Sequence, residues 1–130
     1  MKPRESLVRL KMFQVKEKRR QLGQLDLMIG EFERMASELD AQIQSEEAKA
    51  GITDQNHFAY PTFAKAARQR RDNLYVSIRD LMAQKETAEN ELRIAEAELA
   101  KAEALETRDN GRSARESADS LAMQRRAMIG

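Results

Sequence analysis

"GITDQNHFAYPTF", residues 51–63, is the one break in a chain that otherwise reads as helix. Gly51 suits the left-handed residue that closes a helix. Asp54, Asn56 and Pro61 are turn residues. Pro61, tolerated in the first helical turn, or the residue after it opens a second helix, with Thr62 as an alternative N-cap. A turn of about ten residues lets that second helix fold back on the first. The same stretch holds Phe58, Tyr60 and Phe63, half of the six aromatic residues in the 130-residue chain.

Before the break, a count in sevens gives Val8, Val15, Leu22, Ile29, Ala36, Ile43 and Ala50 at one position. The position three residues on gives Lys11, Lys18, Leu25, Phe32, Leu39 and Glu46, apolar in the middle and charged at the ends. A sustained 3-4 spacing predicts a coiled-coil helix over about 4–50, with Leu7, Met28 and Met35 widening the seam. After the break, Ala67, Leu74, Leu81, Ala88, Ala95 and Ala102 form one seam row of a second helix over about 62–107. Ala64, Arg71, Ile78, Lys85, Leu92, Leu99 and Glu106 form the other. Asn110-Gly111 and the polar run after it predict an end to the pattern, leaving 109–130 as a flexible tail with at most a short helix.

Charge blocks choose how the helices pair. Residues 1–20 carry eight basic and two acidic groups, and residues 21–50 carry two and seven. Residues 51–85 carry six and three, and residues 86–108 carry three and seven. An antiparallel hairpin sets opposite signs side by side along its length, whereas a parallel in-register dimer sets like against like. Flanking charges of this kind select partner and direction. The expected fold is all-α: a long antiparallel two-helix coiled-coil hairpin over residues 1–108, with the turn at 51–61.

Charged residues make up 35 % of the chain and aromatics 5 %, the composition of long helices rather than of a filled globular core. The absence of cysteine excludes disulfides, a thiolate nucleophile and a Cys-based zinc site, and suits a reducing cytoplasm. No apolar run reaches the ~18 residues of a membrane span, and the N-terminus does not read as a signal peptide. Phosphate-binding loops, dinucleotide fingerprints and HExxH are lacking, and the single His57 has no partner at metal spacing. The expectation is a non-enzyme without cofactor, metal or small-molecule substrate. "KEKRR" at 16–20 and "RQRR" at 68–71 suit phosphate contacts, but each also faces an acidic block of the partner helix. Aromatics for base stacking are missing beside them, so no nucleic-acid partner is expected. Leu7, Val8, Met12, Phe13 and Val15 among bases also fit a membrane-surface helix, although the seam accounts for most of them.

Two groups of residues are candidates for partner binding. Phe58, Tyr60 and Phe63 either staple the turn to the helix ends or present anchors to a partner. Lys11 and Lys18 interrupt the apolar seam near the N-terminal end, which predicts a weaker, basic end able to remodel on a partner.

The stretch "SLVRLKMFQVKEKRRQL", followed by a charged antiparallel coiled coil, resembles the FliJ-type flagellar export proteins. "EFERMASELDAQIQSEEAKAGITDQNHFAYPTFAKAARQRRDNL" resembles the alphaproteobacterial branch, most specifically from Ile52 to Asn73. The resemblance covers about residues 1–108. It implies a small component of the flagellar type III export apparatus, similar to the rotor-stalk coiled coil of rotary ATPases. Its implied partners are the export ATPase ring, the export gate and substrate chaperones. The implied location is the cytoplasm, peripherally at the membrane at the flagellar base. A general coiled-coil scaffold or adaptor without an export ATPase is the alternative, and a nucleic-acid-binding hairpin is a third reading.

Overall fold

The computed structural model describes residues 3–129. The fold is an all-α helical hairpin of two helices, α1 (Pro3–Ala50) and α2 (Thr62–Ile129), with no strand among the described residues. Pro3 opens α1, where a missing N–H costs nothing, and Glu5 in the first turn complements the helix dipole. Gly51 closes α1 in the left-handed region, at φ 69°. Its N–H donates to the carbonyls of Glu47 and Ala48, and the Ile52 N–H returns to Glu47. These bonds satisfy carbonyls that the helix end leaves open. α2 starts with Pro61 as the capping residue, its carbonyl accepting the Lys65 N–H at 3.1 Å.

α2 does not end near residue 107. It runs through Asn110-Gly111 as regular helix to Ile129, so the stretch expected to be a tail with at most a short helix is part of one 68-residue helix. The heptad seam stops because α1 supplies no further partner: Arg4, in its first turn, already pairs with Asp109. Loss of a packing pattern ended the seam without ending the helix. Residues 110–128 are exposed throughout.

The chain divides into two compact units, Met1–Arg19 with Asn90–Gly130, and Arg20–Glu89. In Arg20–Glu89, the helices run antiparallel and bury Ile29, Ala36, Leu39 and Ile43 of α1. Ala64, Ala67, Ile78, Leu81 and Ala88 of α2 are buried as well. Leu39, Ile43 and Ala67 form a cluster with Leu74 against it. Large residues on α1 meet alanines on α2, which brings the backbones close and makes Ile43 the largest fully enclosed side chain. Met28 and Met35, expected beside the seam, are 42 % and 46 % exposed on its flanks.

The other unit repeats the antiparallel arrangement with smaller apolar groups. Val8 and Val15 are buried, as are Ala95 and Ala102, and Leu92 and Leu99 are half-buried. Ion pairs tie the two helices in both units. Lys11–Glu98, Lys18–Glu91 and Arg4–Asp109 do so in one. Lys85–Asp26, Arg71–Asp40 and Arg68–Glu47 do so in the other. Apart from Arg4–Asp109, whose acid lies one residue past the last block, these pairs join blocks of opposite sign in the antiparallel sense.

Candidate functional site

The turn is built from local bonds. Asp54 Oδ1 accepts the Asn56 N–H at 2.9 Å, and the Asp54 carbonyl accepts the His57 N–H at 3.1 Å. The His57 carbonyl takes the Tyr60 N–H at 3.0 Å, and its ring Nδ1 takes the Ala59 N–H at 3.0 Å. His57 is therefore spent on shaping the loop, and its ring stacks on Phe58 at 4.7 Å between centroids.

The three turn aromatics have separate roles. Tyr60 is buried, at 8 % exposure, and its Oη accepts a bond from Arg68 Nε at 2.8 Å. Arg68 Nη2 donates to both oxygens of Glu47, at 3.0 and 3.3 Å. Glu47 is itself buried, in the last turns of α1. This chain of three side chains fastens the turn to both helices at once. The Arg68 guanidinium is held above its ordinary pKa, first by the bond to Tyr60 and then by the Glu47 carboxylate, with burial opposing both. Phe58 is 96 % exposed and Phe63 54 % exposed. Tyr60 thus staples the turn, and Phe58, stacked on His57, is exposed at its tip.

One step along the same unit, Asp40 anchors a second polar cluster. Arg71 Nη1 donates to Asp40 Oδ1 at 2.8 Å, and Tyr75 Oη donates to Asp40 Oδ2 at 3.0 Å. The Arg71 guanidinium lies 5.8 Å from the centre of the Tyr75 ring, within cation–π range. The Arg71 bond holds the Asp40 carboxyl below the usual carboxylate range; burial pulls the other way and Tyr75 assists. Asp40 in turn raises Arg71 and Tyr75. Fixed charges of this kind lock geometry.

Lys11 and Lys18 lie in the other unit. Each bridges the seam to an acid of α2: Lys11 to Glu98 at 3.0 Å and Lys18 to Glu91 at 2.9 Å. Both lysines are partly buried, so their ammonium groups take part in holding the helices together. Of the two basic runs, Arg68 and Arg71 face acids of α1, and Lys18 and Arg19 face acids of α2.

Sequence reasoning singled out Tyr60, and Arg68 and Arg71 in a basic run facing an acidic block, but not their partners Glu47, Asp40 and Tyr75. Arg71 did carry a signal, as a charge on a seam row. Shallow grooves flank the seam. One in Arg20–Glu89 is lined by Phe32, Met35, Gln42, Arg70 and Leu74. Among the described residues no group of three or more His, Cys, Asp or Glu is placed to hold a metal ion. No described helix is long and apolar enough to cross a membrane. Comparison with protein-family models, with curated proteins and with solved structures yields no match.

Proposed function

We propose that the chain is a non-enzymatic coiled-coil component of the bacterial flagellar export apparatus. In this reading it is a stalk that binds the export ATPase ring and escorts substrate chaperones to the export gate. It acts in the cytoplasm, peripherally at the membrane at the flagellar base. The observation that carries the reading is the antiparallel two-helix seam, with opposite charge blocks paired and no third element packed on it among the described residues. A seam of this kind presents long helix faces to partners and encloses no substrate cavity. The sequence resemblance from Ile52 to Asn73 adds the choice of partner. Phe58 supports it further, because an exposed aromatic at the turn is suited to anchor in a partner's pocket.

The test is ATP hydrolysis by the export ATPase of the same organism, titrated with this protein. The expected result is a rate that rises and saturates at a few chains per ring. Phe58→Ala then weakens the effect while leaving the hairpin folded. An unchanged rate, with no complex on gel filtration, would overturn the ATPase role and leave the scaffold reading.

A further inference from the structure

In the unit Met1–Arg19 with Asn90–Gly130, two large apolar side chains near the start of α1 stay out of the seam. Met12 is 53 % exposed and Phe13 61 % exposed, although the neighbouring Val15 is buried. With Leu99 of α2 they line one groove, floored by Val15 and edged by Lys16 and Arg19. Arg9, Met12, Phe13, Lys16 and Arg19 recur at three- and four-residue intervals, so they share one face of the helix. Apolar anchors sit in the middle of that face, with bases one turn before and after. Lys11 and Lys18, by contrast, reach to Glu98 and Glu91, so their charge is spent within the hairpin. Arg9 and Lys16 are exposed. Arg19 reaches Glu96 only at 3.8 Å and remains 66 % exposed.

We propose that this groove is a docking site for an acidic amphipathic helix of a partner protein. The partner's apolar stripe lies on Met12, Phe13 and Leu99, and its carboxylates meet Arg9, Lys16 and Arg19. A helix laid in a groove between two others completes a three-helix layer, and its anchors follow the i, i+3, i+4, i+7 pattern. The rim decides the sign of the partner. A basic helix would meet two exposed cations and a third that is only loosely engaged, and like charges at a rim reject a partner. Concavity favours a helix over a bilayer, because Met12 and Phe13 share the groove with Leu99 instead of standing on a flat face. The inference does not rest on the export reading.

The test uses the full chain and a fluorescein-labelled helical peptide of about 18 residues, roughly five turns. Leucines stand at i, i+3, i+4 and i+7, with glutamates elsewhere, and a second peptide carries lysine for every glutamate. Fluorescence anisotropy is expected to show binding of the acidic peptide and none of the basic one. Phe13→Ser is expected to weaken binding at least about tenfold, the loss of an anchor worth about 1.4 kcal/mol or more. Because Phe13 is exposed, helix content should not change. Arg9→Glu with Lys16→Glu is expected to invert the preference between the peptides. Amide shifts on binding should centre on Met12, Phe13, Lys16 and Leu99. Equal binding of both peptides, or no effect of Phe13→Ser, would overturn the proposal. So would Phe13-dependent binding to phosphatidylcholine vesicles containing phosphatidylglycerol in the absence of peptide binding, which would assign the face to a membrane instead.

Discussion

Replacing Tyr60 with phenylalanine removes one oxygen and leaves the buried ring. The oxygen accepts from Arg68 Nε at 2.8 Å, and Arg68 in turn holds Glu47. A hydrogen bond involving a charged group contributes about 1.5–3 kcal/mol, and a neutral one about 1 kcal/mol. Arg68 is 21 % exposed and keeps both Glu47 oxygens after the change, so water partly replaces Tyr60. The expected loss for Tyr60→Phe is therefore about 1–1.5 kcal/mol, the low end for a charged bond. Phe58→Ala, at the exposed tip, should stay within about 0.5 kcal/mol. A double-mutant cycle with Glu47→Gln should show coupling of about 0.5–1 kcal/mol, because both changes act on the same guanidinium. The assay is urea unfolding followed by tyrosine fluorescence. The chain has two tyrosines and no tryptophan, and both Tyr60 and Tyr75 lie in Arg20–Glu89, so the signal reports that unit alone. Tyr75 remains as the reporter in Tyr60→Phe. The midpoint should fall with an unchanged slope. If Tyr60→Phe cost no more than Phe58→Ala, within the about 0.5 kcal/mol scatter of surface changes, the three-residue fastening would not be what holds the turn.

The remaining expectations use the same reporter or a simple companion. Asp40 has a folded pKa below its ordinary 3.8, so its contribution is present above that value and is lost as pH falls through the lowered one. Acid titration of the tyrosine-monitored stability should therefore show a limb below 3.8 that shrinks in Asp40→Asn. Gly30 lies within α1 with nothing within 4 Å of an added Cβ, so Gly30→Ala should raise stability by about 0.5–1 kcal/mol in urea melts. Amides of residues 111–128 should exchange fastest within α2, because they are exposed and most helical stability in proteins comes from packing. Hydrogen exchange by NMR checks this, and protection equal to that around Leu74–Leu81 would count against it.

The seam was legible because burial in a two-helix fold follows a period that the sequence carries openly. Of the seven residues read in one row, Val8, Val15, Ile29, Ala36 and Ile43 are buried, Leu22 is half-buried, and Ala50, at the helix end, is exposed. Charge signs fixed the direction, and Gly51 and Pro61 fixed the turn. The end of α2 was not legible. Hydrophobic period reports where a helix is covered, and among the described residues nothing covers it beyond Asp109. Gly111 lowers helix propensity by about 1 kcal/mol, a cost offset by the good helix formers Arg108, Arg112, Ala114 and Arg115 around it. The polar networks were also hidden. Glu47 meets Arg68 across 21 residues and Asp40 meets Arg71 across 31, separations fixed only once the turn is closed. The split among Phe58, Tyr60 and Phe63 depended on which ring faces Arg68, which composition alone does not encode.

The two units assign stability and specificity to different residues. In Arg20–Glu89, Leu39 and Ile43 pack on Ala67 and Leu74, and burying a Leu or Ile contributes about 1.5–3 kcal/mol. In the other unit, Val8 and Val15 meet alanines, and the alternate row holds Lys11 and Lys18 where leucines would add burial. Partly exposed pairs such as Lys11–Glu98 and Lys18–Glu91 contribute only about 0–1 kcal/mol each. Their effect is to exclude alternatives. A one-heptad slip would re-pair one lysine (Lys11 with Glu91, or Lys18 with Glu98) and leave the other opposite Gln84 or Leu105, and a parallel partner would set the basic N-terminal block against its own copy. Apolar burial thus holds Arg20–Glu89 together, and charges on seam rows hold the register in Met1–Arg19 with Asn90–Gly130. That unit also leaves Met12 and Phe13 out of the seam, so part of its apolar surface stays open to a partner.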